Sequence, residues 1–209
     1  MKILFQGDSI TDVGRDREDI NSAGFGYPLF VKAQLGLEEP QKYEFINKGI
    51  SGNRIVDVYA RIKRDILNLK PDVMSILIGI NDVWHDVIGD EPNGVDNEKF
   101  FKIYSMLIEE IKAELPDIKI IIMEPFVLKG HNTIENWELF STETPKRAES
   151  ARKIAEKYNL TFMPLQEKFD ELEKLAPSEY WLADGVHPTS AGHEMIKKEW
   201  IKTFKSICE

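Results

Sequence analysis

A single cysteine, Cys208, occurs in 209 residues, so no internal disulfide can form and nothing calls for an oxidising compartment. It lies beside the C-terminus, far from every polar motif, which argues against a catalytic thiol. Positive charge is scarce: 27 Lys and Arg face 36 Asp and Glu, giving a net charge of −9. Nucleic acids and anionic membranes both require clustered positive charge, so neither is expected as a partner. Long apolar runs are missing too. The longest, Val73 to Ile80, contains Ser75 and Gly79 and falls far short of a membrane span. The opening Met1-Lys2-Ile3-Leu4-Phe5-Gln6-Gly7 is too short for a signal-peptide core and has no small-residue cleavage site, so a cytoplasmic protein is the expectation. Repeats, low-complexity tracts and linkers are absent, and residues 1–209 read as one domain.

What is present is a regular alternation of apolar runs with helix-period segments. Ile3–Phe5, Tyr43–Asn47, Val73–Ile78, Ile118–Met123 and Leu160–Leu165 read as five strands. Ile55, Val58, Ile62, Ile66 and Leu69 recur at spacings of three and four and predict a helix over Arg54–Leu69, stopped by Pro71. Phe100–Leu115, Pro145–Tyr158 and Ser190–Phe204 predict three more, with Asn159 capping the end of Pro145–Tyr158. Strand–helix alternation throughout implies a parallel sheet covered on both faces: a three-layer α/β/α, flavodoxin-like, doubly wound fold. Ligands of such sheets bind beyond the carboxyl ends of the strands. The long loops 12–24, 83–97 and 126–144 start there.

Four polar islands sit at those ends or in the last loop: Gly7-Asp8-Ser9-Ile10, Gly49-Ile50-Ser51-Gly52-Asn53, Gly79-Ile80-Asn81-Asp82 and Asp184-Gly185-Val186-His187. Together they hold what acyl transfer needs. Ser9 follows the first strand and supplies a hydroxyl, although the same segment makes a good N-cap turn. A turn over Gly185 and Val186 can return the Asp184 carboxylate to the His187 imidazole, fixing its tautomer and freeing the other nitrogen as a base for Ser9. The alternative is an incidental ion pair at a helix entry. Gly52 N–H and the Asn81 carboxamide can join Ser9 N–H as oxyanion donors, or be a tight-turn glycine and a strand-end cap. A metal site built from Asp184, His187 and His193 is disfavoured, because a His-Glu-x-x-His pattern and cysteine ligands are lacking. Thr11 stands where a Gly-x-Ser-x-Gly elbow needs glycine, so that elbow is absent.

In this order the islands resemble the conserved blocks of the SGNH hydrolases, also called the GDSL esterase/lipase family. Gly7-Asp8-Ser9-Ile10 matches the first block, with Ile10 where many members carry Leu. Gly52, Asn81 in Gly79-x-Asn81-Asp82, and Asp184-x-x-His187 match the others. The resemblance implies a serine esterase that needs no cofactor or metal. The catalytic residues would be Ser9, Asp184 and His187, and the oxyanion hole Ser9, Gly52 and Asn81. The segments Asn47–Asn53 and Gly79–Trp84 look closest to the carbohydrate acetylesterase branch, such as acetylxylan esterases.

Asp8, Trp84, His85 and Trp181 are candidate substrate contacts, with Tyr27, Trp137 and Phe140 as further aromatic walls. The polar stretch 130–144 offers no apolar lid. Short acyl groups on a soluble sugar are therefore expected over triglycerides. Alternatives are a thioesterase or lysophospholipase of the same family, or a non-catalytic carbohydrate-binding module on the same sheet. The polar loop also fits a homo-oligomer contact.

Overall fold

The computed structural model describes residues 1–208. Its strands are β1 (Lys2–Gly7), β2 (Glu44–Asn47), β3 (Val73–Leu77), β4 (Lys119–Met123) and β5 (Thr161–Met163). They form one sheet in the order β2-β1-β3-β4-β5, every pair parallel. This is the doubly wound order, with its switch point between β1 and β3. All five lie within or across the runs expected to be strands.

The helices are α1 (Ser9–Asp12), α2 (Tyr27–Glu38), α3 (Ile55–Ala60), α4 (Ile62–Asp65), α5 (Ile80–Trp84), α6 (Asn97–Glu114), α7 (Trp137–Lys157), α8 (Gln166–Glu173), α9 (Ser178–Trp181) and α10 (Ser190–Cys208). Alternate residues of each strand point to opposite faces. Ile3 and Phe5 pack with α2 and α10 residues Tyr27, Val31, Trp200 and Phe204 on one face. Leu4 joins α3, α6 and α7 residues such as Val58, Leu107 and Ile154 on the other. Strands buried on both sides read as unbroken apolar runs, which is why they were visible in the sequence.

Several helix expectations need correction. The single helix over Arg54–Leu69 is broken into α3, α4 and a 3₁₀ turn at Leu67–Leu69. Its stripe is still buried at Ile55, Val58, Ile62 and Ile66. The first break falls at Arg61 (φ −112°, ψ 13°). Its guanidinium is drawn out of helical register by Lys48 O at 2.8 Å, Asn53 Oδ1 at 2.8 Å and Asp65 at 3.1 Å. Helix α7 starts at Trp137, not at Pro145, which lies inside it. Proline removes one intrahelical hydrogen bond, but buried Phe140, Thr144 and Arg147 on either side keep the helix docked. The 126–144 loop is shorter by that amount. Helices α2 and α8 had no sequence expectation. Asn159 ends α7 with φ +52°, as expected of a left-handed cap. Among the described residues no helix is long and apolar enough to cross a membrane.

Helix α10 is locked to β1 through Trp200, fully buried 5.2 Å from Phe5 and stacked 5.1 Å from Phe204. Its indole N–H has no partner. Trp200→Ala is therefore expected to destabilise the protein by about 3–5 kcal/mol. Trp200→Phe should cost clearly less, because it also deletes an unsatisfied buried donor worth about 1–3 kcal/mol. Urea unfolding of both variants checks the order, and equal losses would refute it.

Candidate active site

Register brings the first three islands together. Gly7 pairs with Leu77 and Phe5 with Asn47, so β1, β2 and β3 end side by side. Each chain then turns out of the same sheet edge. Asp8 caps α1 by accepting the Ile10 N–H at 3.0 Å. That cap sets Ser9 at the first helical position, where its own N–H has no intrahelical acceptor.

Two side chains fasten the second island to the first. Asn47 donates to Thr11 O at 2.6 Å and Ala23 O at 2.9 Å, and accepts from Gly49 N–H at 2.9 Å. Asp12 Oδ2 accepts from the Ser51 N–H at 2.9 Å and hydroxyl at 3.0 Å. Gly52 follows with φ +80°, a conformation that favours glycine, and its N–H has no backbone acceptor among the described residues. Asn81, in the first turn of α5, donates to Asn53 O at 3.2 Å. Asp82 accepts the Ile55 N–H at 3.0 and 3.2 Å. The loops carrying Ser9, Gly52 and Asn81 are thus cross-tied by side chains rather than left to find each other.

The fourth island arrives from the segment before α10. Ser9 Oγ lies 2.9 Å from His187 Nε2, and His187 Nδ1 lies 2.7 Å from Asp184 Oδ2. Asp184 Oδ1 accepts the backbone N–H groups of Val186 at 2.9 Å and His187 at 2.8 Å. Asn132 completes the carboxylate, donating to Oδ2 at 2.8 Å. The turn needs Gly185: its φ is +98°, and a Cβ there would sit 2.6 Å from Leu128 O.

These contacts split the acids of the site. Partial burial alone would raise the Asp184 pKa. The hydrogen bonds from the His187 side chain and backbone and from Val186 overcome it and hold the carboxyl well below the usual range. The Asp184 hydrogen bond also raises the His187 pKa, against the opposing effect of burial. Asp8 and Asp82 behave oppositely. Burial pushes Asp8 up to about 7 and Asp82 up to about 8.

Ser9, Asp184 and His187 are thus brought into one relay, with Asn81 and Gly52 on adjoining loops. Trp84 also arrives, its ring 5.6 Å from His187 and edge-on to Phe140 at 5.9 Å. Asp8 is fully buried, with Oδ1 capping α1 and Oδ2 without a hydrogen-bond partner, so it presents no open surface to a substrate. Tyr27 and Phe140 are fully buried as well and form no open wall. His85 ends α5, and its carbonyl accepts from Asn93 N–H at 2.8 Å. Trp181 donates to Ala176 O at 3.2 Å and meets Tyr180 edge-on. Neither side chain makes a hydrogen bond or ring contact with the relay. His193 is buried in the core, accepting Tyr27 N–H at 3.2 Å, and burial lowers its pKa to about 4. Among the described residues no group of three or more His, Cys, Asp and Glu could hold a metal ion.

Asp12, Asn47 and Asn132 were not singled out from the sequence. The first two had a signal: Asp12 closes the Gly-Asp-Ser-Ile-Thr-Asp run and Asn47 ends a strand next to Gly49. Asn132 had only its place in a long loop.

The model of the GDSL-like Lipase/Acylhydrolase family matches residues 5–195. An acetylxylan esterase of Geobacillus stearothermophilus is 33% identical over 208 residues, covering 96% of this chain and 92% of its own. The crystal structure of that organism's acetylxylan esterase Axe2 superposes with a TM-score of 0.86 at 33% identity, covering 97% of this chain and 93% of its own. A structure described as a GDSL-like lipase from Parabacteroides merdae gives 0.91 at 38% identity, over 98% and 95%. The chain belongs to the GDSL-like lipase/acylhydrolase family and is a hydrolase of carboxylic ester bonds.

Proposed function

We propose that the protein removes short acyl groups, acetyl above all, from a carbohydrate through a Ser9–His187–Asp184 triad. The observation that carries this reading is the unbroken relay of 2.9 Å and 2.7 Å from Ser9 Oγ through His187 to Asp184. In the reaction, His187 Nε2 takes the Ser9 proton as Oγ attacks the ester carbonyl. Ser9 N–H, Gly52 N–H and Asn81 Nδ2 receive the negative charge that develops on the carbonyl oxygen. His187 then protonates the departing sugar hydroxyl, leaving an acyl-enzyme. Water, deprotonated by the same imidazole, releases the acid and restores Ser9. Asp184 stays ionised throughout and holds the imidazole in the productive tautomer.

Two further points support the acyl and substrate classes. Trp84, wedged between His187 and Phe140, narrows the space beside the base and favours a small acyl group. The Geobacillus relative is named an acetylxylan esterase, and its variants described as catalytic mutants replace one Ser, one His and one Asp three positions before the His. Asp184 and His187 have the same spacing.

Ser9→Ala is expected to lower kcat on p-nitrophenyl acetate by a factor on the order of 10⁶, with an unchanged circular dichroism spectrum. Full activity would refute the nucleophile. Asn81→Ala should lower kcat by about 10²–10³ with a smaller effect on KM; a loss confined to KM would remove Asn81 from the oxyanion hole. The base must be neutral, so kcat/KM should rise with pH through the His187 pKa. That limb should lie above the ordinary histidine value of 6.5, because the Asp184 hydrogen bond raises it. A limb below 6.5 would contradict the role given to Asp184. Chain-length profiling from acetyl to palmitoyl esters tests the acyl class, and a maximum at long chains would end the sugar-ester reading. Acetate released from acetylated xylo-oligosaccharides is the direct assay.

A further inference from the structure

The protein carries a net charge of −9, yet a cleft beside the site is cationic. It holds about 360 Å³ and is lined by Arg15, Arg17, Lys48, Ile50, Arg64 and Asp65. Arg61 stands behind it, bound to Lys48 O at 2.8 Å. Two carboxylates serve these cations. Asp12 pairs with Arg17 at 3.1 Å and Arg15 at 4.0 Å, and Asp65 with Arg61 at 3.1 Å and Arg64 at 2.9 Å. Lys48 enters none of these pairs, so positive charge is in surplus. Burial lowers the Arg15 pKa, and the charges of Arg17 and Arg64 lower it further against Asp12 and Asp65.

Structure accounts for part of this charge. Arg15 donates to Gly49 O at 2.8 Å, and Arg61 donates to Lys48 O at 2.8 Å and Gly7 O at 3.3 Å. These two buttress the loop after β2. Arg17 and Arg64 hydrogen-bond only to carboxylates, and their side chains are 55% and 72% exposed. They are not needed to hold the loop. That loop carries both Lys48 and Ile50 of the cleft and the free N–H of Gly52. Ile50 and Gly52 are two residues apart, so their Cα atoms lie within about 7 Å. The cleft and the acyl carbonyl's position are thus fixed to one another by a single tied loop.

We propose that this cleft is a subsite for a carboxylate carried by the substrate, such as a uronic acid on an acetylated saccharide. The carboxylate docks on Arg17, Lys48 and Arg64 while the ester lies over Gly52. The assignment rests on the esterase reading above. A substrate anion would be repelled by the acidic protein as a whole, and a local surplus of cations at the point of docking offsets that field. Guanidinium and ammonium groups at an exposed rim act through a screened interaction, so the preference must weaken with salt.

The experiment compares KM for acetylated xylo-oligosaccharides with and without a uronic acid substituent, by acetate release. The wild-type protein should show the lower KM for the acidic substrate at low salt. Raising salt to about 1 M, where the screening length is about 3 Å, should erase the difference. Each of Arg17→Ala and Lys48→Ala should shrink the KM ratio by about fivefold. Lys48→Glu should make the acidic substrate the poorer one. A wild-type KM that is equal for both substrates, or variants that change both equally, would overturn the subsite. Release of acetate from neither substrate would instead overturn the acetylated-carbohydrate reading of the substrate, a separate and distinguishable failure.

Discussion

The parallel pairing of β1 with β2 on one side and β3 on the other is the constraint on which the site depends. Parallel strands must end at a common edge, and this register sets Gly7 against Leu77 and Phe5 against Asn47. The hydroxyl, the glycine N–H and the carboxamide therefore leave the sheet as neighbours although dozens of residues separate them in the chain. Burial of β1 and β3 on both faces makes that register rigid, since a one-residue slip would turn every side chain to the wrong layer.

On that edge, precision comes from polar side chains bonded to backbone rather than to each other. Asp8 ties its own helix start, Asp12 and Asn47 tie the β2 loop to α1, and Asp82 ties α3 to α5. Such bonds satisfy loop amides that would otherwise be buried without partners. They also leave Ser9 N–H and Gly52 N–H uncommitted. The two kinds of acid in the site differ by the number of donors they receive. Asp184 has four and stays ionised beside His187. Asp8 and Asp82 are sealed from water with few donors, so burial dominates and raises their pKa values.

Much of this was legible in the sequence. Buried parallel strands are continuous apolar runs, and the islands after them are glycine-bearing turns with unusual side chains. The helices were read less well for identifiable reasons. Arg61 looked like one more polar position of an amphipathic helix, but its guanidinium reaches out of that segment to the loop after β2, at Lys48 O and Asn53 Oδ1, and to Gly7 O at the end of β1. Pro145 looked like a helix start because local rules place proline in the first turn. Its helix extends earlier because Phe140 and Thr144 find the core. Asp8 adjoins Ser9 in the chain, yet it is fully buried, with one carboxylate oxygen accepting the Ile10 N–H.

The sequence by itself determined the strand count, the parallel α/β class and the residue types needed for ester hydrolysis, because periodicity and motif order are local properties. Only the tertiary structure decided which of those residues meet. It brought His187 and Asp184 to Ser9 across more than 170 positions, recruited Asn132 to the carboxylate, and gathered Arg15, Arg17, Lys48 and Arg64 around one cleft. Contacts between groups far apart in the chain depend on sheet order and register, which no single segment encodes.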